Sequence, residues 1–128
     1  MDLVNIIKII DPMMKLAGFS HRSKRNWYLT NHEVVQNVHL EKSSYSNKNW
    51  LECYLTLPRM DGENDPEFGI TLYVDELLPD KHLLARALDP DEQYMDIDAR
   101  VSAIQSSIEL YMLPALQILT TDTNRPRR

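Results

Sequence analysis

A single cysteine, Cys53, stands in 128 residues, so no internal disulfide can form. One thiol is also too few for a cysteine-based structural zinc site. Glycine occurs three times, and no glycine belongs to a Gly-rich turn leading into a helix, which excludes phosphate and dinucleotide loops. No GxSxG elbow is present for a serine hydrolase. No apolar run approaches the ~18–20 residues that a bilayer-spanning helix requires, so no membrane association is expected. The opening MDLVNIIKIIDPMMKLAGF is too interrupted by charge to be a secretory signal. With the lone cysteine, this favours a reducing, cytoplasmic location.

Positive charge is scarce in one third of the chain. Residues 61–98 hold only Lys81 and Arg86 against twelve acids, a balance of −10, whereas residues 1–60 carry +3 and residues 99–128 carry +2. That distribution excludes the basic footprint of a duplex-DNA binder. It suits either a solvated acidic face that maintains solubility or a surface that meets a basic protein partner. In the second case the partner-binding residues are Asp61, Glu63, Asp65, Glu67, Asp89, Asp91 and Glu92. The acidic run does not read as a calcium loop. Counted from Asp61, the sixth and twelfth positions are Pro66 and Leu72, where an EF-hand needs Gly and Glu. His21, His32, His39 and His82 are scattered without HxxxH or HExxH spacing, so neither a metal nor any other cofactor is expected.

The composition is that of a globular domain, with 43% hydrophobic and 26% charged residues. We expect one domain over residues 1–122 and a flexible basic tail over 123–128. Leu3, Ile6, Ile7, Ile10, Met14 and Ala17 recur at helical spacing, with Asp2 as N-cap and Gly18 as the stop. Asp11-Pro12 either kinks this helix or starts a second short one. HRSKR (21–25) reads as a polar connection and NWYLT (26–30) as a strand. After an NHE turn, VVQNVHLEK (34–42), NWLECYLTL (49–57) and FGITLYV (68–74) alternate with period two, as half-buried antiparallel strands do. PRMDGENDPE between the last two is turn-rich. KHLLARAL (81–88) suits a short helix or an edge strand. Asp96 or Asp98 opens a long helix with the stripe Ile97, Val101, Ile104, Ile108, Met112, Ala115 and Leu119, which Pro114 should bend or restart. The fold expected is α+β: an antiparallel sheet of four or more strands, an N-terminal helix and a long C-terminal helix.

Lys42–Asn47 gathers Lys, Ser, Tyr and Asn, groups used in catalysis. No serine here has lysine three residues later, however, and the flanking alternations make the stretch a hairpin connection. No catalytic residue is expected. One sheet face would carry Asn37, His39, Trp50, Tyr54, Thr71 and Tyr73. Such an aromatic–polar face either stacks a ligand or single-stranded nucleic acid, with Trp50, Tyr54, Tyr73 and His39 as contacts, or is covered by segment 81–88, by the C-terminal helix or by a protein partner.

Several short motifs run in order through LAGFSHRSKRNWYLTNHEVVQNVHLEKSSYSNKNWLECYLTL. A helix ends in Gly18-Phe19, and Trp27-Tyr28 form an aromatic pair in a strand. A hydrophobic strand then enters the loop Lys42-Ser43-Ser44-Tyr45. With the Leu113-Pro114 step of the last helix, this succession resembles the bacterial family known as domain of unknown function 4304. No activity comes with that resemblance. Small acidic domains of this kind often sit beside toxins, so it implies an immunity-type inhibitor by analogy. The expectation is therefore a non-enzymatic protein-binding domain with an acidic surface, the alternative being a small-ligand or single-stranded nucleic-acid module on the aromatic sheet face.

Overall fold

The computed structural model describes residues 2–31, 34–58 and 64–123, with backbone alone at 31, 57–58, 64–68 and 121–123. The chain opens with α1, Leu3–Leu16, whose first turn is capped as its sequence predicts: the Asp2 carboxylate accepts the Asn5 N–H at 3.0 Å. The helix ends in a Schellman turn. Gly18 takes φ +96°, its N–H donates to the Lys15 carbonyl, and the Phe19 N–H donates to the Met14 carbonyl. Pro12 lies inside the helix and does not break it.

Five antiparallel strands follow as a meander: β1 Ser20–Ser23, β2 Asn26–Asn31, β3 Val34–Lys42, β4 Asn49–Pro58 and β5 Asn64–Tyr73. Two segments differ from their sequence reading. Ser20–Ser23, which overlaps the expected connection 21–25, is an edge strand in which His21 pairs with Trp27. Its side chains are exposed, so no apolar alternation could announce it. The expected loop 58–67 is shorter, because β4 and β5 extend into it and Pro58 pairs with Asn64. Backbone pairing offsets the turn-forming character of these residues. His32 and Glu33 of the NHE turn lie outside the described residues.

The inner face of the sheet carries Trp27, Val34, Val38, Leu40, Leu51, Cys53 and Leu55, each at most 1% exposed. Ile6, Ile10 and Met14 of α1 join them in one core. Val74, read as the end of the last strand, instead opens a 3-10 turn, Val74–Leu77. Segment 81–88 contains a short helix, α2, Leu83–Ala87, which adds Leu84 and Ala87 to the same core.

The C-terminal helix starts at the Asp96 N-cap and runs as α3 (Ile97–Ser106), a π-helical segment (Ser107–Met112) and α4 (Leu113–Thr123). Its buried face is Arg100, Ala103, Ile104, Ser107, Ile108, Met112, Leu116 and Thr120, whereas Ile97 of the expected stripe is 63% exposed. The strict four-residue spacing from Ile104 to Thr120 outruns a 3.6-residue turn, and the wider π turns absorb the excess. The Leu113 N–H reaches back five residues to the Ile108 carbonyl just before Pro114, which has no N–H to offer Leu110. Thr123, where the expected tail begins, is instead the last residue of α4, and 124–128 lie outside the described residues.

Candidate functional site

Two loops meet at one end of the sheet. Residues 43–48 connect β3 to β4, closed by the Ser43 N–H donating to the Lys48 carbonyl at 2.9 Å. The Ser43 and Ser46 hydroxyls accept the N–H groups of Tyr45 and Lys48, so these serines shape the turn. Asn49, 3% exposed, fixes this loop to the second one by donating to the carbonyls of Asn47 and Leu88, and it accepts from Arg25 Nη1. Asn47 also donates to Asp91 at 3.2 Å.

The second loop, residues 88–96, is organised by a buried cation. Arg100 is 2% exposed. Its Nη1 donates to the Ala87 and Asp89 carbonyls at 2.8 and 2.7 Å, and its Nη2 donates to the Glu92 carbonyl at 3.0 Å. The Glu92 carboxylate accepts from Arg86 Nε and from the Tyr94 N–H. Those hydrogen bonds, with the charges of Arg86 and Arg100, hold its pKa below the ordinary value of 4.5. Neither Arg100 nor Asn49 stood out in the sequence. The one available signal was a cation four residues before Ile104, on what proves to be the apolar face.

These contacts separate the acidic residues read from sequence. Asp91 is exposed, Asp89 accepts the Asp91 N–H, and Glu92 is ion-paired. Asp61 and Glu63 lie outside the described residues. Asp65 and Glu67 belong to β5, with only their backbone described. Asp75, missed in the sequence, has a buried carboxylate oxygen without a partner among the described residues, and burial raises its pKa above 3.8.

The outer sheet face keeps its aromatic character. Register aligns Tyr28, Asn37, Tyr54 and Thr71 in one row and His39, Glu52 and Tyr73 in the next. Trp50 donates to Glu52, His39 bonds to Asn26, and the Arg22 guanidinium lies over the Tyr28 ring at 4.5 Å. Tyr54 leans across Gly69, where a Cβ would overlap its ring. The expected cover by segment 81–88 or the C-terminal helix does not occur, because both contribute to the core on the opposite face. Trp50 and Tyr54 are half-buried, and Tyr73 is 44% exposed.

A third cluster joins α1 to the sheet. Asp11 accepts from Trp27 Nε1 at 2.9 Å, pairs with Lys15 at 2.9 Å, and lies 3.5 Å from His21, which stacks on Trp27. Burial opposes its charge, but the hydrogen bonds from Lys15 and Trp27 and the charges of Lys15 and His21 outweigh burial and lower its pKa below 3.8. A lowered folded pKa stabilises the fold above the unfolded value, and that contribution is lost as pH falls through the folded one. The melting-temperature gap between the unaltered chain and Asp11→Asn should therefore be full above about pH 5 and shrink below 3.8. A gap independent of pH would refute this.

No group of three or more possible metal ligands occurs among the described residues. Burial, with the Glu52 charge, pushes the Cys53 thiol up to about 12. Native protein at pH 8 should leave a disulfide reagent unreacted, whereas urea-unfolded chain should release one thiol equivalent. Rapid labelling of the native chain would contradict the burial.

No helix among the described residues is long and apolar enough to cross a membrane. No curated protein and no solved structure matches the chain. Residues 10–59, from the second half of α1 to the end of β4, match the model of one family, and over that segment the chain resembles the family described as Domain of unknown function (DUF4304).

Proposed function

We propose that this is a non-enzymatic protein-binding domain that meets a basic partner through the acidic segment from the end of β5 to the first turn of α3. The observation that carries the proposal is the exposure of Glu76, Asp80, Asp91, Asp96 and Asp98, while the segment itself holds few cations to oppose them: Arg86 pairs with Glu92, Lys81 is exposed, and Arg100 at its end is buried. Clustered carboxylates accelerate encounter with a cationic surface and discriminate against acidic partners. An immunity-type inhibitor of a basic toxin is the specific form proposed, in a bacterial cytoplasm. Partner capture should weaken steeply with salt and with Glu76→Lys, Asp91→Lys and Asp98→Lys together.

The uncovered aromatic face favours a second reading, a module that stacks a small ligand or single-stranded nucleic acid on Trp50, Tyr54 and Tyr73 beside His39. Binding that resists salt and those charge reversals, and is lost with Trp50→Ala, would replace the first reading with the second.

A further inference from the structure

A cavity of about 310 Å³ opens where the first turn of α1 meets the start of α3, lined by Asn5, Glu92, Met95, Ile97 and Arg100. That volume is at the lower end of small-molecule sites, about 300–1,000 Å³. Its wall is chemically mixed. Met95 is half-buried, and Ile97 is exposed where a core residue was expected. Arg100 has five N–H donors and spends three on loop carbonyls, so Nε–H and one Nη2–H have no protein acceptor among the described residues. Each Glu92 carboxylate oxygen accepts one hydrogen bond and retains a second acceptor site.

A simple anion would meet Glu92 in the wall, within a segment where Asp91, Asp96 and Asp98 are exposed. A simple cation would meet the guanidinium. A molecule carrying both charges satisfies both walls, and an apolar substituent suits Met95 and Ile97. We propose that this cavity binds a free α-amino acid with an apolar side chain. Its carboxylate meets Arg100 and the Asn5 amide, its ammonium meets Glu92, and its side chain lies on Met95 and Ile97. The lining shares no residue with the aromatic sheet face or with Glu76, Asp91 and Asp98, whose reversal tests the docking surface, although Glu92, Met95 and Ile97 belong to the same acidic segment.

The test is an NMR titration of the full chain with L-leucine, beside 4-methylpentanoate, which lacks the ammonium, and isoamylamine, which lacks the carboxylate. Leucine should produce saturable shifts at the Asn5 side-chain amide and the 92–100 backbone, and each half-ligand should bind about tenfold more weakly. Asn5→Ala and Ile97→Ser change exposed positions outside the core, so the fold survives, and each should weaken leucine binding about fivefold or more. The proposal is overturned if leucine gives no saturable shift up to about 20 mM, a weak limit even for so small a ligand. It is equally overturned if either half-ligand binds as well as leucine, or if both variants bind like the unaltered chain.

Discussion

Replacing Arg100 with leucine should destabilise the protein by about 3–5 kcal/mol in urea unfolding, a large part of the roughly 5–15 kcal/mol that holds a domain together. Three carbonyls, on Ala87, Asp89 and Glu92, lose the guanidinium at once, and the Asp89 carbonyl keeps the Glu92 N–H at 3.2 Å. An unsatisfied buried acceptor costs about 1–3 kcal/mol, and partial access to water at Asp89 and Glu92 keeps the total below the simple sum. Leucine fills the apolar volume without offering a hydrogen. Arg100→Lys should recover only part of the loss, because an ammonium lacks the planar fork that spans three acceptors. If leucine costs less than about 1 kcal/mol, the guanidinium is not what holds the 87–92 loop.

Trp27→Ala should cost a similar amount, about 3–5 kcal/mol, as the emptied volume collapses only partly. Trp27 is fully buried at the crossing of β2 and α1, its ring stacked on His21 at 4.9 Å. Trp27→Phe separates packing from hydrogen bonding. It retains an aromatic ring and removes the donor to Asp11, for which about 1.5–3 kcal/mol is expected because the acceptor is charged. Since Asp11 and Trp27 share that bond, combining Trp27→Phe with Asp11→Ala, which removes the acceptor, should cost less than the two changes added. Strict additivity in a double-mutant cycle would show that the indole donor contributes nothing.

Where one physical signal dominated, the chain was legible. Val34, Val38 and Leu40 on β3, and Leu51, Cys53 and Leu55 on β4, alternate so regularly that a one-residue slip would turn the core face to solvent. Asp2, Gly18 and Asp96 mark helix ends because capping is local chemistry, complete within a few residues. The turn 43–48 followed from the two alternating strands that it joins.

Tertiary structure decided what depends on partners distant in sequence. The edge strand Ser20–Ser23 exists because β2 offers it a pairing edge. Ile97 turns outward and Arg100 inward because carbonyls of the 87–92 loop require donors there, a demand invisible from α3 alone. The π segment reconciles four-residue spacing with Pro114, which sequence periodicity could only foresee as a bend or restart. Which face of the sheet the helices cover was equally beyond local pattern, since Trp50 and Tyr54 suit burial and exposure alike. The sequence alone determined the strand alternation, the helix caps and the acidic balance, because each is a property of neighbouring residues. The open aromatic face, the buried cation and the cavity beside it arise only when segments far apart in the chain supply one another's hydrogen bonds and apolar contacts.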